Sequence, residues 1–219
     1  MFKLYALIFG YLLIMASCNQ ATNSNSTKED LTNTEGTDPQ ATDIKNYKKP
    51  SESVKNNCAA PTNMRELSGG MEKLFYQFTS SNEANLSVFG MASAKLSKKE
   101  VVVVVDFIQF KDMNCTGEKV RYGVGARLFL NIKKTQGGIK VTDLPKLAAG
   151  VELGRASVTY SIKVIGLTGD KVRAALPNTG DFNVEAYGKV MSAVDKIQML
   201  ASDKEEGVIV EPQIIPVSK

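Results

Sequence analysis

The chain has 219 residues, a formal net charge of +4 and 23% charged residues, which fits one ordinary domain with appendages and disfavours a multidomain enzyme. It contains no histidine, and this excludes Ser-His and Cys-His catalysis and metal sites with histidine ligands. The small net charge predicts no nucleic-acid partner, because phosphate-binding proteins concentrate many lysines and arginines on one face.

The first fifteen residues, MFKLYALIFGYLLIM, carry one lysine followed by twelve uncharged residues. This apolar length is typical of a signal peptide and is too short to span a bilayer. It leads into Met15-Ala16-Ser17-Cys18, which resembles the lipobox of bacterial lipoprotein signal peptides, with methionine where leucine is commonest. The resemblance implies cleavage before Cys18 and acylation of that cysteine. Because Asn19 rather than aspartate follows, it also implies the outer membrane, with the leaflet undetermined. An uncleaved anchor helix and an ordinary secretory signal are the alternatives.

Residues 18–57 are predicted to form a disordered tether behind the lipidated cysteine. Only six of the residues from 19 to 57 are apolar, so the segment lacks the apolar surface needed to fold. A coil of this length spans about 35 Å on average. The segment is therefore expected to act as a spacer, and its short charged cluster at residues 28–30 is the one candidate partner motif.

Residues 58–219 are predicted to form one α+β domain, an antiparallel meander of about four strands with helices packed on one face. Asn63 and Glu66 fit a capping box, and the apolar residues that follow predict a helix through Phe78. Residues 86–94 are predicted to form the first strand.

Three longer segments are predicted to be strands. Residues 100–111 contain five consecutive valines and are apolar on both faces, which indicates a central strand. Residues 119–134 alternate and predict a long strand with one buried face. Residues 155–167 alternate in the same way and are expected to pair with a preceding strand.

Helices are predicted near residues 143–149, with Asp143 as the cap, and at residues 184–201, with Asn183 as the cap. Residues 170–176 favour a short helical turn. Residues 207–217 contain Pro212 and Pro216, which places this extended segment at an edge of the sheet or outside it.

With Cys18 lipidated, Cys58 and Cys115 are left as a pair in an oxidising compartment, and one disulfide between them is predicted. Two separate thiols are the alternative. No metal site is predicted, because histidine and a third free cysteine are both missing.

Asp106 lies within an otherwise apolar strand, where an unpaired carboxylate would be costly. We expect it to pair with Arg121 or Arg127 across the hairpin or to face solvent, and the functional alternative is a general acid or base. Gly123 and Gly125 alternate on one face, which indicates close approach of another backbone, a helix or a ligand.

The sequence therefore predicts a non-catalytic binding or accessory module anchored in the outer membrane, with a protein or glycan partner and no cofactor. The face that carries Arg121, Gly123, Gly125 and Arg127, or the sheet edge, is the predicted partner site. Two alternatives from other classes are a carboxylate-dependent hydrolase of envelope polymers, which requires an accessible Asp106, and an oligomeric pore built from the alternating strands.

Overall fold

The computed structural model describes residues 41–42, 58–62, 67–91, 95–202 and 206–216. The predicted signal peptide, the lipidation site Cys18 and the capping box at Asn63 and Glu66 lie outside the described residues, as does most of the predicted tether. No helix in the described part of the chain has the length and apolar character needed to cross a membrane.

In the described residues, nine strands make up two sheets. They are β1 (Ala41–Thr42), β2 (Ser68–Phe78), β3 (Val101–Cys115), β4 (Glu118–Thr135), β5 (Ala156–Ile165), β6 (Leu167–Thr168), β7 (Gly180–Asp181), β8 (Ile209–Val210) and β9 (Gln213–Ile215). The main sheet has the order β1-β2-β3-β4-β5-β7, and β9 pairs with the start of β4 beyond the end of β5. The second sheet pairs β6 with β8. Strands β2 to β5 form an antiparallel meander, which confirms the predicted fold class.

Three α-helices and one 3-10 helix accompany the sheets in the part of the chain that the structure describes. The α-helices are α1 (Leu144–Glu152), α2 (Asp170–Ala174) and α3 (Val184–Ser202), and the 3-10 helix covers Glu83–Phe89. The cap predictions are confirmed: Asp143 Oδ1 accepts from the Lys146 amide at 3.3 Å, and Asn183 Oδ1 accepts from the Ala186 amide at 2.9 Å. Short polar caps satisfy amides that the first helical turn leaves unpaired.

The helices α1 and α3 cover one face of the sheet and form the main core with it. Leu147, Val190 and Ile197 pack there with alternate residues of β3 and β4 such as Val105 and Leu128. The apolar stripe of α3 recurs at helical spacing, so burying it against the flat sheet removes a continuous apolar surface from water. We call this the helical face.

The opposite face of the sheet is partly covered by the 3-10 helix, which packs Leu86 and Phe89 on Val102, Val104 and Phe129. The prediction that β4 has one buried face is therefore wrong, since both its faces are buried from Tyr122 to Leu130. Alternation of residue types cannot tell whether a second layer covers the other side. We call this the second face.

Two predicted elements near the start of the domain are wrong. Residues 68–78 form β2 rather than a helix: the adjacent Phe75 and Tyr76 are each 2% exposed on opposite faces of the sheet, an arrangement that only a strand allows. Gly69 and Gly70 weaken a helix, and pairing with the long β3 decides the conformation. The predicted strand at residues 86–94 is instead the 3-10 helix up to Phe89, and residues 92–94 lie outside the described residues.

The predicted tether contains one described strand. Ala41 and Thr42 pair in parallel with Phe75 and Tyr76 at the edge of β2. The other extended segment at an edge is near the C-terminus, where β8 and β9 flank Pro212, as the prolines predict.

Candidate functional site

Asp106 and Arg127 form a buried ion pair on the second face. They face each other across β3 and β4, and Arg127 Nε and Nη2 donate to the two carboxylate oxygens at 2.6 and 2.7 Å. Asp106 is 0% exposed and Arg127 8% exposed. The predicted pairing of Asp106 across the hairpin is confirmed, with Arg127 as the partner.

The environment of Asp106 does not suit a general acid or base. Burial raises the pKa of this carboxyl, and the two hydrogen bonds from Arg127 oppose that rise. Both oxygens are occupied by one guanidinium, so a substrate cannot reach either of them in this structure. The hydrolase alternative required an accessible Asp106, and that condition is not met.

Arg127 also holds the 3-10 helix on the sheet. Its Nη1 donates to the Phe89 carbonyl at 3.0 Å, and its guanidinium lies 4.7 Å from the centre of the Phe89 ring. Lys163 Nζ donates to the next carbonyl, that of Gly90, at 2.6 Å. Two cations from β4 and β5 therefore fix the end of the 3-10 helix, and we call this arrangement the cationic clamp.

The two glycines of the predicted partner site are approached by the chain itself. A Cβ on Gly125 would lie 2.0 Å from the Phe107 carbonyl oxygen, and the φ angle of Gly125 is +154°. A Cβ on Gly123 would lie 2.9 Å from Ile215 of β9. The sequence indicated close approach of another backbone, a helix or a ligand at these glycines. At Gly125 the approaching group is the backbone of β3.

Arg121, Gly123, Gly125 and Arg127 therefore do not form one exposed patch, and the predicted partner surface needs correction. Arg121 alone of the four is half-buried; the other three are buried. Arg121 stacks 3.7 Å from the centre of the Phe110 ring and binds Asp112 through Nε at 2.5 Å, which with Lys119 lowers the pKa of Asp112 to about 2. Partner binding stays a prediction at Arg121.

A groove on the second face is a candidate binding site. It encloses about 400 Å³, near the lower end of the roughly 300–1,000 Å³ usual for small-molecule sites. It lies between the end of the 3-10 helix and the edge of the sheet near β7. Its lining is Met91, Val102, Phe129, Asn131, Thr159, Tyr160, Ser161, Thr179 and Gly180.

The strand register explains why polar side chains line this groove. Asn131 of β4 lies directly between Val102 of β3 and Thr159 of β5, so all three belong to the same face. Thr159 is exposed and Ser161 is half-buried. Asn131 Oδ1 is buried and accepts no hydrogen bond from the described residues.

The cationic clamp sets one wall of the groove. Met91 directly follows Gly90, whose carbonyl accepts a hydrogen bond from Lys163. The Met91 amide donates to the Leu86 carbonyl at 3.3 Å. Lys163 Nζ also lies 5.3 Å from the centre of the Phe129 ring. The position of Met91 relative to the strands therefore depends on the buried pair and on Lys163.

The groove carries hydroxyl and amide groups and no charged residue in its lining, which suits hydrogen bonding to an uncharged part of a ligand. No group of three or more Cys, Asp or Glu residues able to hold a metal ion occurs within the ranges that the structure describes. Sequence reasoning missed the groove. The alternation of Thr159 and Ser161 in residues 155–167 was a signal, but their neighbours follow only from the register.

The predicted disulfide is present in the structure. Cys58 and Cys115 are bonded, and their Cα atoms are 5.7 Å apart. The bond ties residue 58 to the end of β3 and closes a loop with a sequence separation of 57, worth about 4 kcal/mol in the chain-entropy treatment. The Tyr122 hydroxyl donates to the Cys58 carbonyl at 3.1 Å and further fixes this end of the sheet.

Comparison with known proteins gives no relative. No family model matches the chain, and neither the curated proteins nor the solved structures contain a match.

Proposed function

We propose that the chain is a lipid-anchored protein of the outer membrane whose folded domain binds an envelope partner without catalysis. The Met15-Ala16-Ser17-Cys18 motif supports the anchor, and Asn19 favours the outer membrane. Several acyl chains on one cysteine give firm anchoring, because each buried CH₂ contributes about 0.8 kcal/mol.

The disulfide between Cys58 and Cys115 is the observation that carries the proposal. Disulfides persist in oxidising compartments outside the cytoplasm and are rare where thiols are kept reduced. The bond is independent of the N-terminal motif, yet both support export of the domain across the inner membrane.

The binding role is supported by the groove. Its lining offers the hydroxyls of Thr159 and Ser161 beside apolar Val102 and Phe129, a mixture typical of binding sites. The buried carboxylate on the same face, that of Asp106, is occupied by Arg127.

Substitution of Cys18 tests the anchor. We expect the wild-type chain to appear in the outer-membrane fraction with its N-terminus at an acylated Cys18, as measured by mass spectrometry of the purified protein. Cys18→Ser should abolish acylation, because the hydroxyl does not replace the thiol as acceptor. The double variant Cys58→Ser/Cys115→Ser is the control and should keep the acyl chains. A wild-type chain without acyl groups, or an acylated Cys18→Ser variant, would contradict the proposal.

A further inference from the structure

Exposed cationic side chains gather at the end of the sheet beside the groove. Lys98 and Lys99 precede β3, Lys133 and Lys134 lie near the end of β4, and Arg155 precedes β5. The register brings these strand ends together, since Val101 pairs with Ile132 and Lys134 with Ser157. We call these five residues the basic end.

The basic end keeps an excess of positive charge. None of its five residues forms an ion pair with another residue of the described ranges. Glu100, the acidic residue of the same turn, accepts a hydrogen bond from the Ser97 amide at 3.0 Å. Clustered unpaired cations attract anions and favour association with a negatively charged partner.

The basic end lies next to the groove along β4. Asn131 lines the groove, and Lys133 and Lys134 follow it in the same strand. Asp181 pairs with Thr159 at the outer edge of the sheet and is the acidic residue nearest the groove by register. A ligand in the groove therefore meets an uncharged lining with positive charge beyond one end of it, and its anionic groups should lie away from Asp181.

We propose that the groove and the basic end together bind an acidic oligosaccharide, with sugar hydroxyls in the groove and carboxylates at the lysines. This inference rests on the proposed binding role. Sugar hydroxyls both donate and accept, so they match the hydroxyls of Thr159 and Ser161 and the buried oxygen of Asn131. The cations occupy three neighbouring strand ends about 4.8 Å apart, which suits an extended polyanion better than a single phosphate.

Titration of matched probes tests the inference. The chain from residue 18 with Cys18→Ser is titrated calorimetrically with tetragalacturonate and with its methyl ester, which has the same sugar chain but uncharged, methylated carboxyl groups. We expect the acid to bind about tenfold more tightly, because its carboxylates can form exposed charge pairs with the lysines that the ester cannot form. Raising the salt concentration should reduce this difference.

Variants locate the site. Lys133→Gln/Lys134→Gln should weaken binding of the acid about tenfold and leave the ester unchanged. Thr159→Val should weaken both probes, and Asp181→Asn should strengthen binding of the acid. Lys189→Gln/Lys196→Gln on α3 makes the same charge change on the helical face and should have no effect.

Three results would overturn the inference: equal affinity for acid and ester, no binding of either probe, or binding unaffected by Lys133→Gln/Lys134→Gln. Binding to vesicles of phosphatidylglycerol that competes with the acid would reassign the basic end to lipid headgroups. The proposed function is tested separately. It would still be supported after any of these results if Cys18 is acylated and the anchored chain captures another partner.

Discussion

Asp106→Ala is expected to lower the free energy of unfolding by about 3 to 5 kcal/mol, since it leaves the Arg127 guanidinium buried without its partner. The loss should be larger than the net contribution of the pair itself. Removing one partner costs the full desolvation of the other, whereas replacing both removes the uncompensated charge. Urea denaturation of the Cys18→Ser chain measures the change.

The double variant Asp106→Ala/Arg127→Met separates these effects. It should recover much of the stability lost in Asp106→Ala, because methionine fills the space and carries no charge. Asp170→Ala breaks the exposed pair with Arg173 and is the matched control, with an unfolding curve close to wild type. If Asp106→Ala unfolds at the wild-type urea concentration, the buried pair does not hold the second face together.

The same substitution should affect the groove. Arg127 fixes the Phe89 carbonyl, and Met91 of the groove wall follows two residues later. Stability and binding are therefore linked through the cationic clamp. Arg127, which the sequence placed in the predicted partner site, therefore has a structural role beside the groove.

Gly125→Ala is expected to destabilise the domain by about 3 kcal/mol or more. The added Cβ would lie 2.0 Å from the Phe107 carbonyl oxygen and 2.9 Å from the Ile108 Cα, both backbone atoms that cannot move without breaking the pairing of β3 with β4. The φ angle of +154° adds a conformational cost for any residue with a side chain. Thermal unfolding followed by circular dichroism measures the loss.

Gly188→Ala is the control for Gly125→Ala. Gly188 lies within α3, and a Cβ there meets nothing within 4 Å. Alanine in a helix interior is favoured over glycine by about 0.5 to 1 kcal/mol, so this variant should unfold at a higher temperature than wild type. A Gly125→Ala chain as stable as Gly188→Ala would show that β3 and β4 do not approach as closely as described.

The meander and its helices could be predicted because their patterns are long. The valine run of β3 and the alternation in β5 each predict a strand, and Asn183 predicts the start of α3. β2 could not be predicted in this way, since Met71, Leu74, Phe75 and Phe78 fit helical spacing and the competing β3 is distant in sequence.

The candidate site was less predictable than the fold. The sequence predicts that Asp106 pairs with Arg121 or Arg127 or faces solvent, because an unpaired carboxylate in an apolar strand is costly. The structure selects Arg127 as the partner. The groove depends on the register that sets Asn131 beside Thr159 and on the 3-10 helix that supplies Met91, and neither follows from local pattern. The sequence likewise does not indicate that the second face of β4 is covered.

Site-specific photocrosslinking in intact cells tests most directly whether the anchored domain is a binding module. A benzoylphenylalanine is introduced at Thr179, an exposed residue of the groove lining, and, in a second variant, at Lys196 on the helical face. An anchored binding module predicts a discrete adduct from position 179 that is lost when Cys18→Ala removes the anchor, and no such adduct from position 196. No adduct from position 179, equal adducts from both positions, or crosslinks only between copies of the chain would contradict it.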